Sequence, residues 1–217
     1  MSTSPVKAAL ADILTFADSV DPAGTLCREE PQVRALVEAA RAGNRDAFGD
    51  LVLYYQRVVF RTALAAAGTR EDADDATQDA FLTAWRKLPA FRGDATFKTW
   101  LLTIAWRKAI DRRRSRRAWW NRIQSGRPAD EDHDSMTDIA GTLPDPEQRA
   151  VSTDVERRIR RQIRALSPKL RDALVLAASG EHSYEEIAAV LGIPLGTVKW
   201  RVSEARKVLA RRLETGA

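Results

Sequence analysis

The chain has 217 residues, 44% of them hydrophobic, enough to build one or two cored domains. It carries 35 Lys and Arg against 30 Asp and Glu, a net charge of +5 that suits an anionic partner such as nucleic acid. The lone cysteine, Cys27, excludes an internal disulfide, and with only His133 and His182 beside it no zinc-ligand spacing exists.

The longest wholly apolar run, residues 173–178, is far below the ~18 residues of a membrane span. The first residues lack the basic-then-apolar layout of a signal peptide. A cytoplasmic protein with no membrane contact of its own is expected.

Residues 1–31 read as an extension of unknown role, with one short amphipathic helix marked by Leu10, Ile13, Leu14 and Ala17. Residues 32–118 read as a helical domain. Val33, Leu36, Val37 and Ala40 mark its first helix, stopped at Gly43-Asn44. Phe48, Leu51, Val52, Tyr55, Val59, Ala63 and Ala66 mark a second, closed by Gly68. Thr69 and Asp72 resemble the capping box of a third, which Pro89 ends. A polar loop, residues 91–96, leads into a fourth helix from about Phe97 that runs into a block of arginines. Residues 119–146, with three prolines and two glycines, read as a flexible linker.

Residues 147–217 read as a second helical domain. Ser167-Pro168 is an N-cap followed by proline at the first helical position. Ser183 and Glu186 form a capping box, Gly192 suits the left-handed end of a helix, and Pro194 suits the start of the next. In that last helix Val198, Val202, Ala205 and Leu209 share one face. The opposite face presents Trp200, Ser203, Glu204 and Lys207, with Lys199 and Arg206 on one flank and Arg201 on the other. This is the pattern of a helix-turn-helix, whose second helix enters the DNA major groove. The fold class is all-α: two small helical domains joined by a linker, the C-terminal one a helix-turn-helix.

Three further patterns carry chemistry. Residues 71–79 hold five acids, and Asp75, Gln78 and Asp79 fall on one helix side, with Asp72 one turn earlier. They read as a docking face for a basic partner, as a solvated acidic first turn favoured by the helix dipole, or as a carboxylate metal site. Phe91, Phe97, Trp100 and Trp106 interleave with Arg92, Lys98, Arg107 and Lys108, the composition that holds single-stranded DNA by stacking along a basic track. The alternative is that Phe97 and Trp100 are core. Arg112, Arg113, Arg114, Arg116 and Arg117 repel one another unless a polyanion relieves them, so duplex phosphate or a solvated helix end is expected there.

In this order, DADDATQDAFLTAWRKLPAFRG (72–93), TFKTWLLTIAWRKAIDRRRSRR (96–117) and ALSPKLRDALVLAASGEHSYEEIAAVLGIPLGTVKWRVSEARKVLARRL (165–213) resemble a bacterial sigma factor of the extracytoplasmic-function (ECF) group. The resemblance implies a non-enzymatic protein without cofactor or metal. It implies that 32–118 is sigma region two and 147–217 region four. Its partners are then core RNA polymerase (the β′ clamp helices and the β flap), promoter DNA and an anti-sigma factor, in a stress- or signal-responsive system. Asp72, Asp75, Gln78 and Asp79 are implied to bind polymerase. Arg92, Asp94, Thr96, Phe97, Lys98, Trp106, Arg107, Arg112 and Arg113 are implied to meet the minus-ten element, with the 92–97 loop holding a flipped base. Thr197, Lys199, Trp200, Ser203, Glu204, Arg206 and Lys207 are implied to meet the minus-thirty-five element.

The chain departs from the family in two places. Arg107 stands where Asn is frequent, and Glu204 where Arg is common. Two rivals account for parts of the sequence: a stand-alone helix-turn-helix regulator, and a nucleic-acid enzyme with Asp72, Asp75 and Asp79 as metal ligands.

Overall fold

In a computed structural model of the chain, residues 30–124 and 157–215 are described. They belong to two compact units. The helix expected at Leu10–Ala17 and most of the expected linker lie outside the described residues. Every regular element among the described residues is helical.

The first unit holds α1 (Pro31–Arg41), α2 (Arg45–Ala67), α3 (Arg70–Lys87), a 3₁₀ turn (Leu88–Ala90) and α4 (Phe97–Gln124). Its joints follow from local chemistry. The Asn44 side chain accepts from the backbone N–H groups of Asp46 at 3.0 Å and Ala47 at 3.1 Å, so the asparagine that stops α1 also caps α2. Gly68 closes α2 with φ of 83°, a left-handed conformation that costs glycine nothing. Thr69 then caps α3 through the Asp72 N–H.

Helix α3 buries Ala73, Ala76, Ala80 and Ala84 completely. A stripe of such small side chains lets the neighbouring helices approach closely, and α2, α3 and α4 all pack on one another. Leu51 and Val59 of α2 and Leu101, Leu102, Ala105 and Ala109 of α4 fill the shared core.

Helix α4 runs through Gln124, six residues into the segment read as linker. The physical reason is plain in the sequence. Residues 118–124 contain no proline or glycine, and the first breakers are Gly126 and Pro128.

The second unit holds α5 (residues 157–164), α6 (Pro168–Ala178), α7 (Tyr184–Leu191) and α8 (Leu195–Thr215). Leu166, Leu174, Ala205 and Leu209 form its core, with Ile163, Leu170 and Val208 packed against them. The α7 capping box is complete: the Ser183 N–H donates to Glu186 Oε2 at 2.9 Å, and the Glu186 N–H donates to Ser183 Oγ at 3.1 Å. Gly192 ends α7 with φ of 66°. The Pro194 carbonyl accepts from the Thr197 and Val198 N–H groups, so this proline stands just ahead of α8 rather than inside it. At α6 the Ser167 hydroxyl makes no cap bond, contrary to expectation; Pro168 occupies the first turn, and the Ser167 carbonyl takes the Leu170 and Arg171 N–H groups.

No helix among the described residues is long and apolar enough to cross a membrane.

Candidate nucleic-acid interface and acidic docking face

The acidic face lies on the first half of α3. Asp75 and Gln78 are exposed, Asp79 is partly so, and Asp72 is more covered. Arginines from α4 lie across it. Arg112 donates from Nη1 to Asp75 at 2.6 Å and from Nη2 to Asp79 at 2.8 Å. Arg116 pairs with Asp72 and donates to Thr69 Oγ1 at 2.7 Å and to the Ala67 carbonyl at 3.2 Å. Arg113 donates to the Ala66 carbonyl at 2.9 Å. The hydrogen bond to Asp79, and then the nearby carboxylates, hold the Arg112 guanidinium above its ordinary pKa, against the opposing effect of burial.

This changes the reading of the arginine block. Arg112 and Arg113, expected at DNA, are turned inward onto α3 and the end of α2. The cause is geometric. Positions 105, 109, 112 and 116 fall on one helix face, so the core stripe of α4 continues as arginine where it passes the acidic turn of α3 and the electronegative carbonyl end of α2. Arg114 and Arg117 point outward and are exposed. The carboxylates Asp72, Asp75 and Asp79 are each engaged by arginine, and no cluster able to hold a metal ion occurs among the described residues, so the metal-ligand reading finds no support.

The loop between the 3₁₀ turn and α4 is pinned at both ends. Phe91 packs against Trp100 with ring centroids 4.9 Å apart and against Phe97 at 6.0 Å, while Tyr55 reaches Phe97 at 5.7 Å. Between them Arg92, Gly93, Asp94 and Ala95 are exposed, with Gly93 at φ of 80°. Thr96 caps α4: its hydroxyl takes the Thr99 N–H at 3.2 Å and bonds Thr99 Oγ1 at 2.9 Å.

Two expected contacts are corrected here. Phe97 is 0% exposed and Trp106 5%, so both rings belong to the core and offer no face to a base. Trp100 and Lys98 are half-buried, and Arg107 is exposed.

In the second unit, Val198, Val202, Ala205 and Leu209 are buried, and Lys199, Trp200, Ser203 and Lys207 are exposed on the other side of α8. Thr197 is half-buried at its start. Glu204 lies 3.7 Å from the Arg211 guanidinium. Arg206 departs from expectation: its Nε and Nη2 are shielded from solvent, so this side chain is tucked against the unit instead of reaching outward.

Sequence reasoning overlooked the end of α4, where Trp119, Trp120 and Ile123 are each about half exposed and the two indoles meet edge to face at 5.4 Å. The signal was available, since Trp119 and Ile123 continue the 112, 116 stripe. Placing the linker at 119 hid it.

Two family models match the chain: Sigma-70 region 2 over residues 51–119, and Sigma-70, region 4 over residues 156–209. The RNA polymerase sigma-H factor of Pseudomonas aeruginosa is 33% identical over 189 residues, covering 85% of this chain and 95% of that protein. The ECF RNA polymerase sigma-E factor of Escherichia coli K12 is 32% identical over 188 residues, covering 83% and 94%. Among solved structures, CnrH in complex with the cytosolic domain of CnrY shares 28% identity and a TM-score of 0.60, over 86% of this chain and 99% of that one. RpoE in complex with the anti-sigma factor NepR, from Bartonella quintana, shares 26% identity and a TM-score of 0.54, over 77% and 96%. By this likeness in sequence and in the order of its two regions, the chain belongs to the ECF group of RNA polymerase sigma factors.

Proposed function

We propose that this chain directs core RNA polymerase to promoters, with residues 32–118 acting on the polymerase and the minus-ten element and residues 147–217 on the minus-thirty-five element. It is an initiation factor and not an enzyme. It works in the cytoplasm, where polymerase and promoter are, in a stress- or signal-responsive gene set. The reading is carried by one observation: an acidic helix face, a pinned loop with exposed polar tip, and a helix-turn-helix follow one another in the order of Sigma-70 regions 2 and 4.

The parts have distinct roles. Asp75, Gln78 and Asp79, with Asp72 behind them, receive a basic element of the polymerase, the β′ clamp helices by family resemblance. The exposed Arg92–Ala95 tip, held between Phe91 and Phe97, is the part of the first unit that can enclose an unpaired base. Arg107, Arg114 and Arg117 supply phosphate contacts beside it. In the second unit Lys199 and Lys207 hold phosphate, while Trp200 and Ser203 face the groove floor. The β flap of polymerase is a partner of this unit by the same resemblance. An anti-sigma factor is a further partner, since CnrH and RpoE are each seen in complex with another protein, RpoE with an anti-sigma factor.

Run-off transcription with core polymerase on a promoter library tests the proposal. The protein is expected to yield discrete transcripts that vanish with Asp75→Arg. Transcription independent of the added protein, or tight promoter binding with no polymerase affinity, would instead favour a stand-alone regulator.

A further inference from the structure

Arg112 and Arg116 stand where two functions meet. Their guanidiniums occupy the acidic face that the proposed function gives to polymerase, and they belong to the same arginine block as Arg114 and Arg117, which it gives to DNA. Arg112 bridges Asp75 and Asp79, one turn apart on α3, and Arg116 closes on Asp72. Three of the four residues of the docking face are thereby engaged by a side chain from α4. Gln78, exposed between Asp75 and Asp79, completes the face and carries no charge.

Three carboxylates against two guanidiniums leave one net negative charge for an incoming cationic helix. We propose that Arg112 and Arg116 are an internal shield on this face: a basic partner docks by displacing them, and the displaced guanidiniums become available to DNA phosphate. The inference rests on the reading of this face as the polymerase-docking surface.

The physical case is one of competition. An arginine and a basic partner helix seek the same carboxylate oxygens, and both cannot have the same bidentate geometry. The pairs are well formed yet accessible. Arg112 is 33% exposed in its side chain, Asp75 57% and Asp79 41%. Accessible pairs of this kind are individually weak, so a partner can exchange them; a fully buried pair would not yield. An arginine guanidinium stays protonated across the ordinary pH range, and the hydrogen bond to Asp79 favours its charged form further, so the shield does not titrate from the arginine side.

The two arginines differ in what else they hold. Arg116 also ties the α2–α3 joint through Thr69 and Ala67. Arg112 bonds to the two carboxylates of the face, Asp75 and Asp79, which makes it the cleaner probe.

The experiment measures affinity for core polymerase by competition, for the full chain and its Arg112→Gln variant, at two salt concentrations. Removing the competitor is expected to tighten binding about two- to fivefold at low salt. The gain should shrink as salt screens both the internal pair and the docking contact. Arg112→Met, which keeps the aliphatic stem, repeats the test if the glutamine variant has a lowered unfolding midpoint.

A second arm uses the protein alone on duplex promoter DNA. Asp75→Asn with Asp79→Asn should strengthen DNA binding, and this gain should fall when Arg112 is already Gln, because the released guanidinium is then absent. Unchanged or weaker polymerase binding in both Arg112 variants overturns the shield, as does strict additivity in the DNA cycle. Asp75→Arg separates the two readings. If it abolishes polymerase binding while the Arg112 variants do not tighten it, the docking face stands and the shield fails. If it has no effect, both fail.

Discussion

Trp200 stands 61% exposed on α8. An indole left in water on a helix face otherwise lined by Lys199, Ser203 and Lys207 fits contact with a thymine methyl or a base edge. We expect Trp200→Ala or Ser203→Ala to change which upstream element is preferred, at ~1–3 kcal/mol for the affected base. Lys199→Ala should weaken all sequences alike and lower the salt slope by about one. Glu204 is half-buried beside Arg211, so Glu204→Arg replaces that ion pair with two like charges. If Glu204 accepts from a cytosine amino group, that change alters specificity; if it lies outside the footprint, it alters affinity alone. Binding over a randomised upstream element at two salt concentrations distinguishes these, and unchanged preference in all variants would mean that another face of α8 meets the groove.

Phe97 makes a contrasting case at the same scale. Fully buried among Tyr55, Phe91 and Trp100, it holds the loop that precedes α4. Phe97→Ala should lower the stability of the first unit by about 3–5 kcal/mol, as truncation of a buried aromatic does. Urea unfolding checks this. A stable variant whose only defect is promoter opening would return Phe97 to the strand-capturing role that its burial denies.

At the scale of elements, α7 and its turn show how local chemistry sets the approach of α8. The reciprocal Ser183–Glu186 bonds fix where α7 begins, and left-handed Gly192 fixes where it ends. Ser183→Ala should cost about 1 kcal/mol in the second unit and lower the affinity of the full chain for the upstream element. Thermal unfolding and DNA binding should move together; loss of binding with an unchanged unfolding profile would mean that Ser183 itself touches DNA. These boundaries were legible in the sequence because capping boxes and left-handed glycines act over a few residues.

The acidic face was legible for the same reason: one helix, one periodicity. What escaped was the meeting of α3 with α4. Pairing Arg112 with Asp75 joins residues 37 apart, and no local pattern encodes it. Treating the arginines as one block hid the distinction between Arg112, Arg113 and Arg116, which face inward, and Arg114 and Arg117, which do not. Trp106 was misplaced for a related reason. Its neighbours Arg107 and Lys108 suggested a basic track, while the helical register set it inward with Ala105 and Ala109.

For the whole molecule, the proposed function divides the work between the two units, and that division has a consequence for promoter architecture. Each unit has its own core, so a lesion on the α3 face should leave the second unit intact. Asp75→Arg is expected to abolish polymerase binding while the isolated 147–217 segment, which carries none of that face, keeps its DNA affinity. The two proposed DNA contacts nevertheless act on one duplex. When both units are held on one polymerase, the two promoter elements must present compatible faces of the helix. B-DNA repeats every ~10–10.5 base pairs, so inserting about five base pairs between the elements turns one of them to the far side. Run-off transcription should then fall at least tenfold, while replacing the intervening sequence at constant length has little effect. If transcription tolerates the insertion, only one of the two units reads DNA in a fixed register, and the assignment of residues 147–217 to a second promoter element would have to be withdrawn.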